Sequence, residues 1–216
     1  MRQSLKELKL VSNLFDEAVA EVISSKLVHY ESESCPDQFV GRVQTLKDHS
    51  QDFPYREPAV FKAESVGQVI LILESPHIRE FFQPFGPAKG STGRLIRKHL
   101  CEILVDRCVE SWDVYLVNAI QNQCSLGKVP SKYRDAVFCR AWSLYGEQNF
   151  IDRLRALVNE QTIVINACTK VSSVKTKLLR REIVEEAVVK ALERQSDIRI
   201  THPASWASQA NRRAVW

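Results

Sequence analysis

Residues able to do chemistry gather at a few corners of this 216-residue chain. Leu71-Ile72-Leu73 is an apolar, strand-like run that breaks at Glu74-Ser75-Pro76-His77, and Ile200-Thr201 runs into His202-Pro203-Ala204-Ser205-Trp206. Two further polar corners, Val117-Asn118-Ala119 and Asn166-Ala167-Cys168, fall between them. In a parallel α/β sheet, ligands bind in the loops just past the strand C-termini. Corners of this kind, more than a hundred residues apart in sequence, therefore read as walls of one pocket. The groups on offer are a carboxylate, hydroxyls, imidazoles and carboxamides, all able to hydrogen-bond a ligand.

Cations sit close to these corners. Lys89, Arg94, Arg97, Lys98, Arg212 and Arg213 are the candidates for phosphate contact. Pro87 to Gly93, rich in Gly and Ser before a helix, can turn backbone N–H groups toward a phosphate. It lacks the Gly-Lys-Ser/Thr core of a Walker motif, because Lys89 precedes Gly90. Binding of a small nucleotide is the lesser alternative. The basic residues from Lys170 to Arg194 interleave with Glu182, Glu185, Glu186 and Glu193, the pattern of a solvated helix face. Quieter roles compete at each position: strand cap for His202, turn for Asn118 and Ser75-Pro76, core for Phe85 and Trp206. His29, His49 and His99 have no motif around them and read as structural.

The elements that would carry these residues alternate in texture. Residues 3 to about 27 space Leu5, Leu8, Val11, Phe15, Ala18, Val22 and Leu27 as an amphipathic helix. Ser32 to Glu64 is broken by Pro36, Gly41, Pro54 and Pro58, and reads as an irregular connection. Strands are expected at 68–73, 113–118, 162–166 and 197–201, with helices at 91–108, 132–158 and 169–195 between them. Val/Ile/Leu-rich strands separated by helices imply a parallel sheet covered on both faces.

Composition narrows the class. Apolar residues make up 44% and charged residues 26%, with a net charge of +4, which permits a nucleic-acid partner without requiring one. No stretch approaches a membrane span, and Met1-Arg2-Gln3-Ser4 does not open a signal peptide, so a cytoplasmic protein is expected. The six cysteines form no Cys-x-x-Cys pair and read as reduced thiols.

Taken in order, the four corners resemble the motifs of the uracil-DNA glycosylase superfamily, its thermophile-type branch above all. Glu74-Ser75-Pro76-His77 is similar to that branch's first motif. Pro84-Phe85-Gly86 with Gly93-Arg94-Leu95 is similar to the second, Asn118 to its base-reading Asn, and His202-Pro203 to its histidine loop. The resemblance covers Gly67 to Trp206. It implies a three-layer α/β/α domain over residues 65–216 with a short four-stranded parallel sheet whose motif strands are adjacent. Residues 1–64 would be a helical and irregular extension packed on it.

The same resemblance implies an N-glycosylase that binds a flipped base, uracil or a related deaminated base, in single- or double-stranded DNA, and acts as a monomer in DNA repair. His202 would donate to the departing base, and Asn118 would read a C=O and an N–H on one base edge. Phe85 would stack on the base, with Glu74, Pro76 and His77 completing the base pocket. Lys89, Ser91, Arg94, Ser205, Arg212 and Arg213 would hold DNA, and Trp206 would fill the gap left by the flipped base.

Two departures matter. Ser75 stands where the most active branch carries an Asp, and a hydroxyl without a partner is a poor general base. The thermophile-type branch also holds an iron–sulfur cluster on four cysteines. Here Cys124 and Cys139 resemble only half of that set and Cys35 stands alone, so neither cluster nor metal is expected. Ser75 keeps open a non-catalytic module that binds a nucleobase, nucleotide or DNA on the same fold. An unrelated doubly wound α/β protein is the third reading.

Overall fold

The apolar runs assemble into one central sheet. A computed structural model describes residues 5–23, 30–31, 33–48, 52–53, 67–125, 133–169, 180–213 and 215–216. In chain order these form α1 (Leu5–Val22), β1 (Gln38–Arg42), β2 (Gln68–Leu73), α2 (Ser91–Ile103) and β3 (Asp113–Asn118). There follow α3 (Arg134–Ala141), α4 (Glu147–Leu157), β4 (Thr162–Asn166), α5 (Arg180–Leu192), β5 (Ile198–Arg199) and α6 (Gln209–Arg213). His29 and His49, and residues 170–179 of the expected helix, lie outside the described residues, while Thr169 is not helical.

The strand order is β1-β3-β2-β4-β5. β3, β2, β4 and β5 are mutually parallel, and β1 pairs antiparallel with the outer side of β3. The expected four parallel strands are present, and the sheet is mixed because a fifth strand joins its edge. That strand comes from the segment expected to be irregular. Gly41 hid it: the register slips between Phe39 and Gly41, a bulge that breaks the alternation a strand normally shows. β5 is shorter than expected, with two residues. α2 stops at Ile103, and a short 3-10 turn, Val105–Arg107, follows.

Alternation along the strands divides the core. Ile70, Ile72, Tyr115, Val117 and Val164 face a cluster with Phe15 and Ala18 of α1, Phe138 of α3, Phe150 and Leu154 of α4, and Val184 and Val188 of α5. Val69, Leu71, Leu73, Val114, Leu116, Ile163 and Ile165 face Leu95, Ile96 and Leu100 of α2, with Ile200 and Trp206. The result is three layers, with α1 packed into the same core as the sheet. Every residue of β2, β3 and β4 is buried, as central parallel strands require. α3 and α4 are joined by a π-turn, Trp142–Gly146, where a Cβ on Gly146 would lie 2.1 Å from Ile120 Cδ1. A larger residue here would have to push the Ile120 side chain aside. No helix among the described residues is long and apolar enough to cross a membrane.

Candidate functional site

Because β2, β3, β4 and β5 run parallel, the corners after all four lie along one edge of the sheet. Backbone pairing continues past the strands: Ala119 and Ile120 N–H donate to Leu73 and Glu74 O, and Ala167 N–H to Ile72 O. A parallel bridge joins His77 to Ser125. The first motif is therefore stitched to the loop after β3.

Beneath this edge lies a buried ionic cluster. Glu74 leaves β2 on the face of Ile70 and Ile72, and its carboxylate accepts a hydrogen bond from Nη1 of Arg180, the first residue of α5. Arg180 is wholly buried against the Phe138 ring, and its Nη1 also lies 3.1 Å from Asp135. Arg134 reaches Asp135 at 3.3 Å and Glu74 at 4.0 Å. Burial pushes the Glu74 carboxyl up, while Arg180 and Arg134 oppose that shift. Glu74 is thus committed to internal ion pairs and is not presented to a base, contrary to its expected place in the base pocket. Two guanidinium nitrogens, Nε and Nη2 of Arg180, have no hydrogen-bond partner among the described residues.

Cys124, Cys139 and Cys168 flank Glu74 and Arg180. Burial pushes each thiol up, and the Glu74 charge adds to this, so they are protonated rather than nucleophilic. Cys35 sits apart at Gln121, beside Glu80. Among the described residues no group of three or more His, Cys, Asp or Glu could hold a metal ion.

His202 follows β5 by three residues and caps the 3-10 turn Pro203–Ser205; its Nδ1 accepts from Ala204 N–H at 3.2 Å. That bond leaves the ring proton on Nε2. Desolvation, with the nearby charges of Arg134 and Arg180, pushes the imidazole down to about 4, so it is neutral at pH 7 although the residue keeps some contact with solvent. Glu74 and His202 thus share the same two arginines.

Asn118 is buried to 7% exposure at the end of β3, and by alternation its side chain shares the α2 face with Leu116. Its carbonyl is fixed by Arg153 Nη2 at 2.9 Å. Ser75 is half-buried, with its hydroxyl beside the Cys124 thiol and no carboxylate or imidazole bonded to it among the described residues. His77 caps the following turn: its Nδ1 accepts from Arg79 N–H, while Glu80 Oε1 accepts from His77 N–H at 2.8 Å. Burial raises Glu80 to about 7. Pro76 is buried behind them. Phe85 is 44% exposed and available for stacking.

Several expected DNA contacts are already engaged. Trp206 is wholly buried in the α2-side core and its indole N–H donates to Thr201 O at 2.7 Å. It is a packing residue, not a wedge. Arg212 binds Trp206 O at 2.6 Å and Glu102 at 3.3 Å. Together with Arg213 it lines a cleft of about 490 Å³ between the C-terminal turn of α2 and β5, beside the acidic Glu102 and Asp106. Neither rims the corner of His202. Ser205 donates to His202 O, so it braces the loop. Lys89 is held by Phe82 O at 2.7 Å, and Arg97 is buried over the Phe53 ring near Asp52. Ser91 and Arg94 remain exposed at the start of α2. His99 is buried beside Glu102, a structural role as expected.

Arg180, Arg134, Asp135, Glu80 and Arg153 were not singled out by sequence. Arg180 contradicts the reading of its segment as a solvated face. One signal pointed at it: an acid directly after a fully apolar strand must find a buried cation. No protein-family model, curated protein or solved structure matches this chain.

Proposed function

We propose that this chain is a DNA-base N-glycosylase of the uracil-DNA glycosylase type, working on DNA in the cytoplasm without a metal or cluster. The observation that carries the reading is His202, a neutral imidazole at the C-terminal edge of four parallel strands, with Nδ1 occupied by its own loop and Nε2–H left to donate. The adjacency of β2, which leads into Ser75 two residues past its end, and β3, which ends at Asn118, is what the family resemblance calls for.

In this reaction the bond between the base and C1′ breaks and its electron pair leaves with the base. Water then adds to C1′ and gives up a proton to solvent. His202 Nε2–H donates to the base oxygen where negative charge grows, and a neutral donor does this without first being discharged. Asn118 presents an amide to the base edge, and its placement is stiff because Arg153 pins its carbonyl. Phe85 offers its ring to the base face. Neither Ser75 nor Glu74 activates water: one has no base beside it, and the other is locked to Arg180. Departure of the base, rather than attack by water, carries the rate.

That same lack of a base favours a second reading, a module that binds a base without cleaving it. Purified protein incubated with oligonucleotides carrying uracil, hypoxanthine, xanthine or a thymine mismatch separates the two. Alkali-labile abasic sites are expected. Base binding with no strand break after alkali would leave only the binding module.

A further inference from the structure

Phe82 and Phe85 stand on the loop from His77 to Ala88, directly after the first corner. One buried carboxyl ties both ends of that loop: Glu80 accepts from His77 N–H at 2.8 Å and from Ala88 N–H. Lys89 Nζ donates to Phe82 O at 2.7 Å, and a Cβ on Gly86 would lie 2.2 Å from Phe53 O. The loop is held along its length, yet its rings face water. Phe82 is 54% exposed and Phe85 44%, and they are the two aromatic residues among the exposed large apolar ones described. Single exposed apolar residues are ordinary, but two rings on one held loop mark a contact surface.

The charges beside this surface give the sign of its partner. α2 joins β2 to β3, which are parallel, so it runs opposite to them and its first turn lies at the strand C-termini. Arg94 and Lys98, one turn apart, share its exposed face. Arg79 is exposed on the loop, with Nη1 3.8 Å from where a Gly90 Cβ would stand. None of these three side chains makes a hydrogen bond or ion pair among the described residues. Surface cations on other faces do: Arg140 holds Glu21, Lys190 holds Glu147 and Arg194 holds Asp197. The nearby acid, Asp52, is engaged by Gly90 N–H and faces the buried Arg97. A partner that fits carries flat rings and spaced negative charges, as an unpaired nucleic-acid strand does. In a duplex the base faces are covered by stacking, and Trp206, the expected wedge, is fixed in the core.

We propose that Phe82 is a second stacking site, holding the base next to the one on Phe85, and that it fits a single, unpaired DNA strand. The phosphates of that strand lie along Arg79, Arg94 and Lys98. The proposal rests on the base-binding reading above and extends it to the neighbouring nucleotide. Three residues of chain reach at most about 10 Å, enough for two adjacent bases drawn apart to meet one ring each. Stacking on a ring tolerates any base, so Phe82 adds affinity for the strand without reading its sequence. A ring on a held loop also binds without first having to be ordered.

The test is fluorescence anisotropy of the whole chain with labelled oligonucleotides of about twelve nucleotides, within the site sizes of single-strand binders. Three are compared: an unpaired thymidine strand, its duplex with an adenosine strand, and a strand of abasic residues. The unpaired strand should bind about tenfold more tightly than either of the others, the scale of one stacked base. Phe82→Ala should lose about tenfold on the unpaired strand, keep its salt slope and bind the abasic strand as wild type does. Phe82→Trp should restore the loss. Arg79→Ala should instead reduce the slope of log K against log salt by about 0.7 on the single strands. Should Phe82→Ala not fold, the wild-type ranking of the three oligonucleotides decides. A duplex or abasic strand bound as tightly as the thymidine strand overturns the proposal, as does a Phe82→Ala variant that binds like wild type. Sedimentation showing a dimer that Phe82→Ala abolishes overturns it in favour of a second copy of this chain. Abasic sites at uracil with no loss of strand affinity in Phe82→Ala would remove this inference and keep the glycosylase. Strand binding that depends on Phe82, without abasic sites, would do the reverse.

Discussion

Arg153 and Arg180 begin alike and end differently. Each belongs to a helix on the same side of the sheet, and each lies over a phenylalanine, at 5.8 Å from Phe150 and 5.9 Å from Phe138. Arg153 uses its whole fork. Nη1 takes both Asp37 oxygens at 2.6 and 2.8 Å, Nη2 takes the carbonyls of Asn118 and Ala119, and Nε takes Asn149 at 2.8 Å. Arg180 uses one nitrogen of three among the described residues. A saturated arginine is a tie between elements, here joining α4 to the end of β3 and the start of β1. An unsaturated one ties fewer elements and leaves buried donors unmatched among the described residues. Glu80 sharpens the distinction. Its Oε2 is also buried without a partner among the described residues, but a carboxyl can answer by holding its proton, and arginine cannot.

The largest expected effect tests the saturated member. Arg153→Ala leaves Asp37 buried without a cation, with Gln121 Nε2 still donating to it, and frees two carbonyls, so unfolding stability should fall by about 3–5 kcal/mol. Denaturant titration reads this directly. A loss below about 1 kcal/mol would mean that five hydrogen bonds do not make a tie.

His202→Ala comes next. Loss of one donor aimed at developing charge should slow base release by ~10²-fold, about 2.7 kcal/mol, with little change in stability. Ser75→Ala should cost roughly tenfold or less, since its hydroxyl has no base to activate it. Single-turnover cleavage compares the two. A larger effect at Ser75 would make it the activated group and displace His202 from the centre of the mechanism.

Glu80 gives a smaller, pH-dependent effect. Its carboxyl sits at about 7 in the folded chain against an ordinary 4.5, so the folded state favours the protonated form. That contribution is fully present below pH 4.5 and lost as pH rises through 7. Glu80→Gln keeps the oxygen that accepts from His77 N–H and cannot ionise. The variant should match wild type near pH 4.5 and exceed it by about 2 kcal/mol at pH 8. Equal stability at both pH values would show that Glu80 ionises freely in the folded chain.

Much of this contrast was invisible in the sequence, for identifiable reasons. β2, β3 and β4 were legible because each is buried on both faces and reads as a largely apolar run, whereas β5 is two half-buried residues, Ile198 and Arg199. β1 was not, since Gly41 and the bulge erase its period. The corners at Ser75, Asn118 and His202 followed from strand ends. Arg180 could not be separated from its neighbour Arg181 by composition, because burial of an arginine depends on which helix turn meets Glu74, a contact 106 residues distant. Trp206 was misread for the opposite reason: an aromatic after a His-Pro loop can face out or in, and only the α2 layer decides that it faces in.

The smallest effect carries the rule of saturation to the surface. Arg94 is exposed at the start of α2, and its guanidinium makes no hydrogen bond or ion pair among the described residues. Arg212 spends its guanidinium on Trp206 O, Ala207 O and Glu102. Of these two, Arg94 is the one in a position to exchange counterions for a phosphate. Arg94→Ala should therefore weaken DNA binding a few-fold, about 1 kcal/mol, and reduce the slope of log K against log salt by about 0.7–0.9. Arg212→Ala should leave both affinity and slope unchanged, while costing some stability at the Trp206 turn. Fluorescence anisotropy over a salt series measures the two together. If Arg212→Ala reproduced the loss, DNA would have to run along the cleft beside β5, which Ile200 rather than His202 lines, and the corner at the strand ends would no longer be the place where base and backbone are held together.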